Sequence, residues 1–272
     1  MPLEDHIGDI CRKARLQTKT ELSDAASAAG LDVVGLQKWE TDGVADLPVN
    51  IEALSSLLEL DSFKAVAVAQ GWEPQELDLS QWLNLSMLTT NEGFDVNSFV
   101  AWDPDSKEAA IFDTGWLAES IFALAESEGL HMQHLFITHM HGDHVAALSQ
   151  IRKRWPGIAV YSNNAGAPEK NRIQEGEPVQ LGRMEVTARF TPGHAADGVT
   201  YVVDLWEGSA PPVAIVGDAI FAGSMGKDYS TPERAQSKVR EQILSLPGDT
   251  LICPGHGPVT TVSQELVHNP FF

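Results

Sequence analysis

Leu135-Phe136-Ile137-Thr138-His139-Met140-His141-Gly142-Asp143-His144 decides the reading of this chain. Its first four residues have the β-branched and aromatic character of a buried strand. The strand runs directly into two histidines two residues apart, and in extended backbone that spacing puts both imidazoles on one side. Asp143 and His144 follow the flexible Gly142, so four metal-capable groups lie within six residues. Nitrogen and carboxylate donors of this kind suit zinc, and also iron or manganese. A polar surface loop has no reason to gather three histidines at such spacing.

Three further groups stand at the ends of other predicted strands. His194 closes Phe190-Thr191-Pro192-Gly193-His194, Asp218 follows the apolar run Val213 to Val216 and Gly217, and His256 lies in Cys253-Pro254-Gly255-His256-Gly257-Pro258. Strand-end loops are where layered folds collect their ligands. From Asn97 onward, β-rich runs (98–102, 109–112, 135–138, 158–161, 184–190, 199–204, 213–216, 250–253) alternate with helical patterns at 117–128 and 232–246. That order predicts an α/β or α+β domain of layered sheets with outer helices. His131 and His134 precede the strand that enters the motif and are read as structural, as is Cys253, a small buried residue beside the His256 turn.

The first 70 residues have a different texture. An Ala-rich helix over 23–29 closes on Gly30, Asp32 caps a second helix over 31–39, and Asn50 caps a third over 51–60. The expected organisation is a small all-α unit over 1–70, a connection over 71–84 and a catalytic domain over 85–272.

A formal charge of −20 argues against nucleic acid as a general partner, because phosphate binding needs a basic footprint. No apolar run reaches membrane-spanning length, so no membrane partner is expected. The acidic start Met1-Pro2-Leu3-Glu4-Asp5 lacks the pattern of a signal peptide, and two distant cysteines fit a reducing cytoplasm.

The order T-H-x-H-x-D-H, T-P-G-H, G-D and P-G-H-G-P resembles the metallo-β-lactamase superfamily over roughly residues 85–272. The resemblance implies an α+β fold, a four-layer αββα sandwich, with metals at one edge of its two sheets. Asp113-Thr114-Gly115 looks like the family's early structural motif. Carried over, His139, His141 and His194 would hold a first divalent metal, with Asp143, His144 and His256 holding a second and Asp218 bridging the two. Two such ions about 3.5–4 Å apart activate a bridging water as hydroxide and polarise a carbonyl or phosphoryl oxygen. Asp143 would orient that nucleophile.

Two segments bear on the substrate. Gly217-Asp218-Ala219-Ile220-Phe221-Ala222-Gly223-Ser224-Met225-Gly226-Lys227 resembles the glyoxalase II group, whose Lys and following Tyr contact glutathione. Lys227 and Tyr229 occupy those places. The chain's last residues look like the ending of short bacterial glyoxalase-II-like hydrolases. A thioester of the hydroxyacylglutathione type is the expected substrate, with a lactone or other small ester as alternatives. A one-iron persulfide dioxygenase is a further alternative, although its Arg-x-Asp is replaced by Lys227-Asp228-Tyr229.

Residues 23–43 resemble the helix-turn-helix of the lambda-repressor-like, Xre-type family. The positions that would read bases hold Val33, Val34 and Gly35, and residues 1–90 carry 6 Lys/Arg against 15 Asp/Glu. A packing, lid or homo-oligomerising role is therefore expected, with a transcriptional regulator that uses the metal domain as a ligand sensor as the alternative from another class.

Overall fold

In the computed structural model, which describes residues 1–204, 206, 210–228 and 231–272, side chains alternate across the strands so that each sheet serves two cores. One sheet has the order β1 (Leu85–Asn91), β2 (Asp95–Trp102), β3 (Glu108–Phe112), β4 (His131–Phe136) and β5 (Ala159–Tyr161). The other has the order β13 (Thr260–Thr261), β12 (Leu251–Pro254), β9 (Val213–Gly217), β8 (Val199–Asp204), β7 (Met184–Phe190) and β6 (Pro178–Leu181). Phe99, Phe112, Phe136, Ile215, Leu251 and Cys253 point between the sheets, where Phe112 and Phe136 stack and Tyr201 fills the gap beside them. Their neighbours Val100, Ile111 and Leu135 point outward onto α6 (Glu119–Glu128) and α8 (Leu148–Arg154). On the second sheet, Ala214, Val216 and Ile252 point outward against α9 (Pro232–Gln242) and α10 (Val262–His268). Strands whose side chains alternate between two buried faces thus yield four layers, α, β, β and α.

Five helices precede the sandwich: α1 (Ile7–Gln17), α2 (Leu22–Ala29), α3 (Val33–Asp42), α4 (Ile51–Leu57) and α5 (Ser62–Ala69). Gly30 closes α2 in the left-handed conformation, and Asp32 and Asn50 cap α3 and α4 through the backbone amides of Gly35 and Ala53. The helix expected over 51–60 ends earlier, at Leu57. Glu59 adopts a positive φ of 59°, and Asp61 then caps α5, so one apolar pattern covers two helices.

This helical part is not a loose appendage. Its core of Ile10, Cys11, Ala26, Leu36, Trp39 and Leu54 is closed by Met225, Ala235 and Phe271 from the sandwich. Lys64 Nζ donates to the carbonyls of Leu266 and Phe272 at 2.8 and 3.1 Å. The connection over 71–84 is packed as well. Trp72 stacks on His268 with ring centroids 4.8 Å apart, and the buried Trp82 donates its indole N–H to the carbonyl of Pro211. Among the described residues no helix is long and apolar enough to cross a membrane.

Candidate metal centre

β4 runs parallel to β3, and β12 runs parallel to β9, so the segments leaving β4, β9 and β12 emerge where the two sheets meet. The turn after β7 adds His194. Close approach there requires glycine. A Cβ on Gly255 would collide with the Asp218 carboxylate and the His144 ring, and one on Gly217, whose φ is +52°, would strike the Thr138 hydroxyl.

The seven residues singled out in the sequence come together at this edge. The ring nitrogens of His139, His141 and His194 converge, with His139 Nε2 and His194 Nε2 at 3.0 and 2.9 Å from His141 Nδ1. Asp143 Oδ2 lies 3.4 Å from His144 Nε2 and 3.3 Å from His256 Nε2. Asp218 stands between the groups. Its carboxylate is 3.3 Å from His144, 3.4 Å from both His194 and His256, and 4.0 Å from His139. His139, His144, His256 and Asp218 are buried, whereas His141 is exposed.

Hydrogen bonds from behind settle which ring nitrogen faces the cluster. A carboxylate or carbonyl oxygen can only accept, so His144 Nδ1 donates to Asp113 Oδ2 at 2.8 Å and His256 Nδ1 donates to the carbonyl of Asp95 at 2.6 Å. The Thr138 hydroxyl donates to Asp113 Oδ2 at 2.7 Å and accepts from His139 Nδ1 at 3.1 Å. In all three rings Nδ1 is tied from behind, so Nε2 is the nitrogen turned to the cluster and the one a metal would take once any proton on it has left.

The donor set fits a divalent cation. Among the described residues, three triads have ligand atoms all within 4.8 Å of one another: His139, His141, His194; His139, His144, Asp218; and Asp143, His144, His256. His144 Nε2 and Asp218 Oδ1 are buried without a hydrogen-bond partner, a cost that a bound cation would remove. Burial drives His139 down to about 3. Burial also resists charge on His144 and His256, but Asp113 and Asp218 beside the first hold it up at about 10, and Asp143 and Asp218 beside the second hold it at about 11.

The other expected positions are less central. Lys227 is exposed, on the segment that leaves β11 (Ser224–Met225), and Tyr229 lies outside the described residues. His131 and His134 lie inside β4 and do not precede it, with His134 packed on Phe136 and Tyr161, away from the cluster. Cys253 is a fully buried residue of the inter-sheet core. Sequence reasoning assigned Asp113 only to a structural motif. Its position after a strand and before Thr114-Gly115 was the available signal for its role behind two ligands.

The family model described as the metallo-beta-lactamase superfamily matches residues 91–256. The chain belongs to this superfamily. Among relatives of this metallo-hydrolase, a protein named hydroxyacylglutathione hydrolase GloC from Haemophilus influenzae is 30% identical over 207 residues, covering 65% of this chain and 93% of its own. The mitochondrial persulfide dioxygenase ETHE1 of Bos taurus is 30% identical over 182 residues, covering 64% of this chain and 70% of its own. The crystal structure of the BLEG-1 B3 metallo-beta-lactamase superposes with a TM-score of 0.59 at 26% identity, over 69% of this chain and 98% of that one. These matches support a divalent-metal hydrolase of the superfamily and leave the metal's identity open.

Proposed function

We propose that this metallo-hydrolase cleaves a thioester of the hydroxyacylglutathione type with two metals, zinc foremost, held by His139, His141, Asp143, His144, His194, Asp218 and His256. The observation that carries the two-metal reading is Asp218, whose carboxylate reaches histidines of both groups. Bound there, divalent ions would supply Lewis acidity and an activated water. The chain's residues do the rest. Asp143, partly buried at the cleft and 3.3 Å from His256, orients the attacking water. Exposed Lys227 and, from the sequence, Tyr229 are assigned to the thiol side of the substrate. Similarity to hydroxyacylglutathione hydrolase supports the choice of bond.

Turnover of S-lactoylglutathione that disappears on chelation and in Asp218→Ala is the expected result. Activity confined to lactones, β-lactams or phosphodiesters would overturn the thioester reading. The similarity to persulfide dioxygenases favours a second reading, oxygen consumption on glutathione persulfide by a single iron, which an oxygen electrode decides.

For the helical part, we read α2 and α3 as a helix-turn-helix turned to packing. Val34 at its second helix is exposed and apolar, with no base at that position for phosphate. Exposed Phe63, Val34 and Leu47 make it the surface for a homo-oligomer. A gel shift on genomic fragments is expected to show no binding, and sedimentation reports the oligomer. Two free buried cysteines support a cytoplasmic setting.

A further inference from the structure

The turn that carries His256 is flanked by two features that the hydrolytic machinery does not use. The first is Phe94, at the tip of the β1–β2 hairpin, its ring centroid 5.7 Å from that of His256. Phe94 is 52% exposed, yet it is not loosely held. Asn91 braces the hairpin tip through Gly93 and Asp95, and the indole of Trp116 donates to the Phe94 carbonyl at 3.2 Å while packing edge-on against its ring. A large aromatic face is thus fixed toward solvent at the mouth of the metal cleft.

The second feature is Glu4, from the segment before α1, which lies against Gly257. Its backbone lies so close to Gly257 that a Cβ there, at 3.0 Å from the Glu4 nitrogen, would crowd it. Its position is set from beneath. Neighbouring Asp5 is buried, takes the Ser224 hydroxyl at 2.6 Å and pairs with the buried Lys13. Lys13 donates to the Met225 carbonyl at 2.8 Å and sits 5.2 Å from the Phe221 ring centre, which in turn faces His256. Glu4 is exposed as a residue although partial burial raises its carboxyl above the usual range, it lies in charge–charge range of His256 and Asp218, and its side chain accepts no hydrogen bond from any described residue. Asp5 is matched by Lys13, and Asp9 by His6 at 3.1 Å, so Glu4 is the acid left over on this side.

A fixed aromatic face beside His256 and a spare carboxylate beside Gly257 of the same turn have a common ligand chemistry. Ring quadrupoles and carboxylates both attract a cation, and neither favours an anion. We propose that Phe94 and Glu4 form a cation-recognising subsite beside His256, and that the substrate carries an ammonium group that reaches it. The chemistry at the scissile bond rests on the thioester reading above, while the subsite rests on Phe94 and Glu4. The chain's charge of −20 works in the same direction, steering cations toward the surface and repelling polyanions.

The test uses two thioesters of one acyl group, acetylthiocholine with a quaternary ammonium on its thiol side and S-acetyl-3-mercaptopropionate with a carboxylate. The intact metal-loaded enzyme is expected to favour the first in kcat/KM by about tenfold, as expected for one cation–π contact plus one exposed ion pair. Glu4→Gln and Phe94→Ala each reduce the preference several-fold, and Glu4→Lys reverses it, with metal content and melting temperature held as in the parent. Saturation-transfer NMR with tetramethylammonium reads the subsite without turnover. Its signal should weaken in Glu4→Gln and Phe94→Ala. If neither these thioesters nor S-lactoylglutathione is cleaved but tetramethylammonium binding depends on both residues, the thioester reading fails and the subsite stands. If both thioesters are cleaved without preference, or tetramethylammonium binds the variants as well as the parent, the subsite is overturned.

Discussion

Asp113 holds His144 from behind, its Oδ2 2.8 Å from the histidine Nδ1, and through Thr138 the same carboxylate reaches His139. One buried acid therefore sets the tautomer of a histidine from each proposed metal group. Asp113 also takes a φ of 54°, a left-handed conformation that Asp and Asn tolerate better than other side chains.

Asp113→Asn keeps that backbone and the shape of the side chain but removes the charge and one acceptor. Metal affinity is expected to fall about 10- to 100-fold, the usual cost of losing a carboxylate behind a ligating histidine. Competition with a chromophoric chelator measures it. Unchanged affinity would show that Thr138 and the backbone orient the rings unaided.

Much of this was legible because local pattern and tertiary role coincide. Phe99, Val100, Ala101 and Trp102 face two cores in turn, so the run is apolar throughout and its β-rich composition marked the strand. His194, Asp218 and His256 stand where strands end, so their gathering followed from the order of the elements. What stayed hidden depends on contacts without a local signature. Nothing in Leu58-Glu59-Leu60 marks a left-handed residue, because Glu59 carries no glycine to announce it. Nor does the segment Glu4-Asp5 advertise that it lies against Gly257 and Ser224, more than two hundred residues away.

The metal-free site holds His144 and His256 in the charged form well above neutrality, at about 10 and 11, because Asp113, Asp143 and Asp218 surround them and outweigh their burial. A metal accepts only the neutral ring, so loading the site at pH 8 must expel those protons. Calorimetric titration in two buffers of different ionisation enthalpy is expected to show release of about two protons per fully loaded site. Affinity should consequently weaken as pH falls. Release near zero would mean that these rings are already neutral before the metal arrives.

The pair of Lys13 and Asp5 joins the helical part to the sandwich in a setting where both groups are nearly sealed from water. Lys13→Met strands the Asp5 carboxylate with only the Ser224 hydroxyl, which is expected to cost about 3–5 kcal/mol of unfolding free energy. The double variant Asp5→Asn, Lys13→Met removes both charges and should lose much less than the two single variants combined. Urea unfolding measures each. Additive losses would show that the two side chains act independently.

Glu265 is fully buried at the start of the closing helix α10, and burial pushes its carboxyl up to about 7 against hydrogen bonds from Asn269, Thr260 and the Gly223 amide. Its reference value in an unfolded chain is 4.5. Between these values the native state binds more protons than the unfolded state, so this group's contribution to stability falls as pH rises through that window and levels off above it. The full penalty at pH 8 is roughly 3 kcal/mol. In Glu265→Gln the amide oxygen can accept from Asn269 and Gly223, and its NH2 can donate to the Thr260 hydroxyl, so the packing is kept and the ionisation removed. The variant should therefore gain stability over the parent at pH 8 and much less at pH 5. Thermal unfolding at both values measures the difference. An equal gain or loss at the two pH values would place the effect in hydrogen bonding and not in the buried charge.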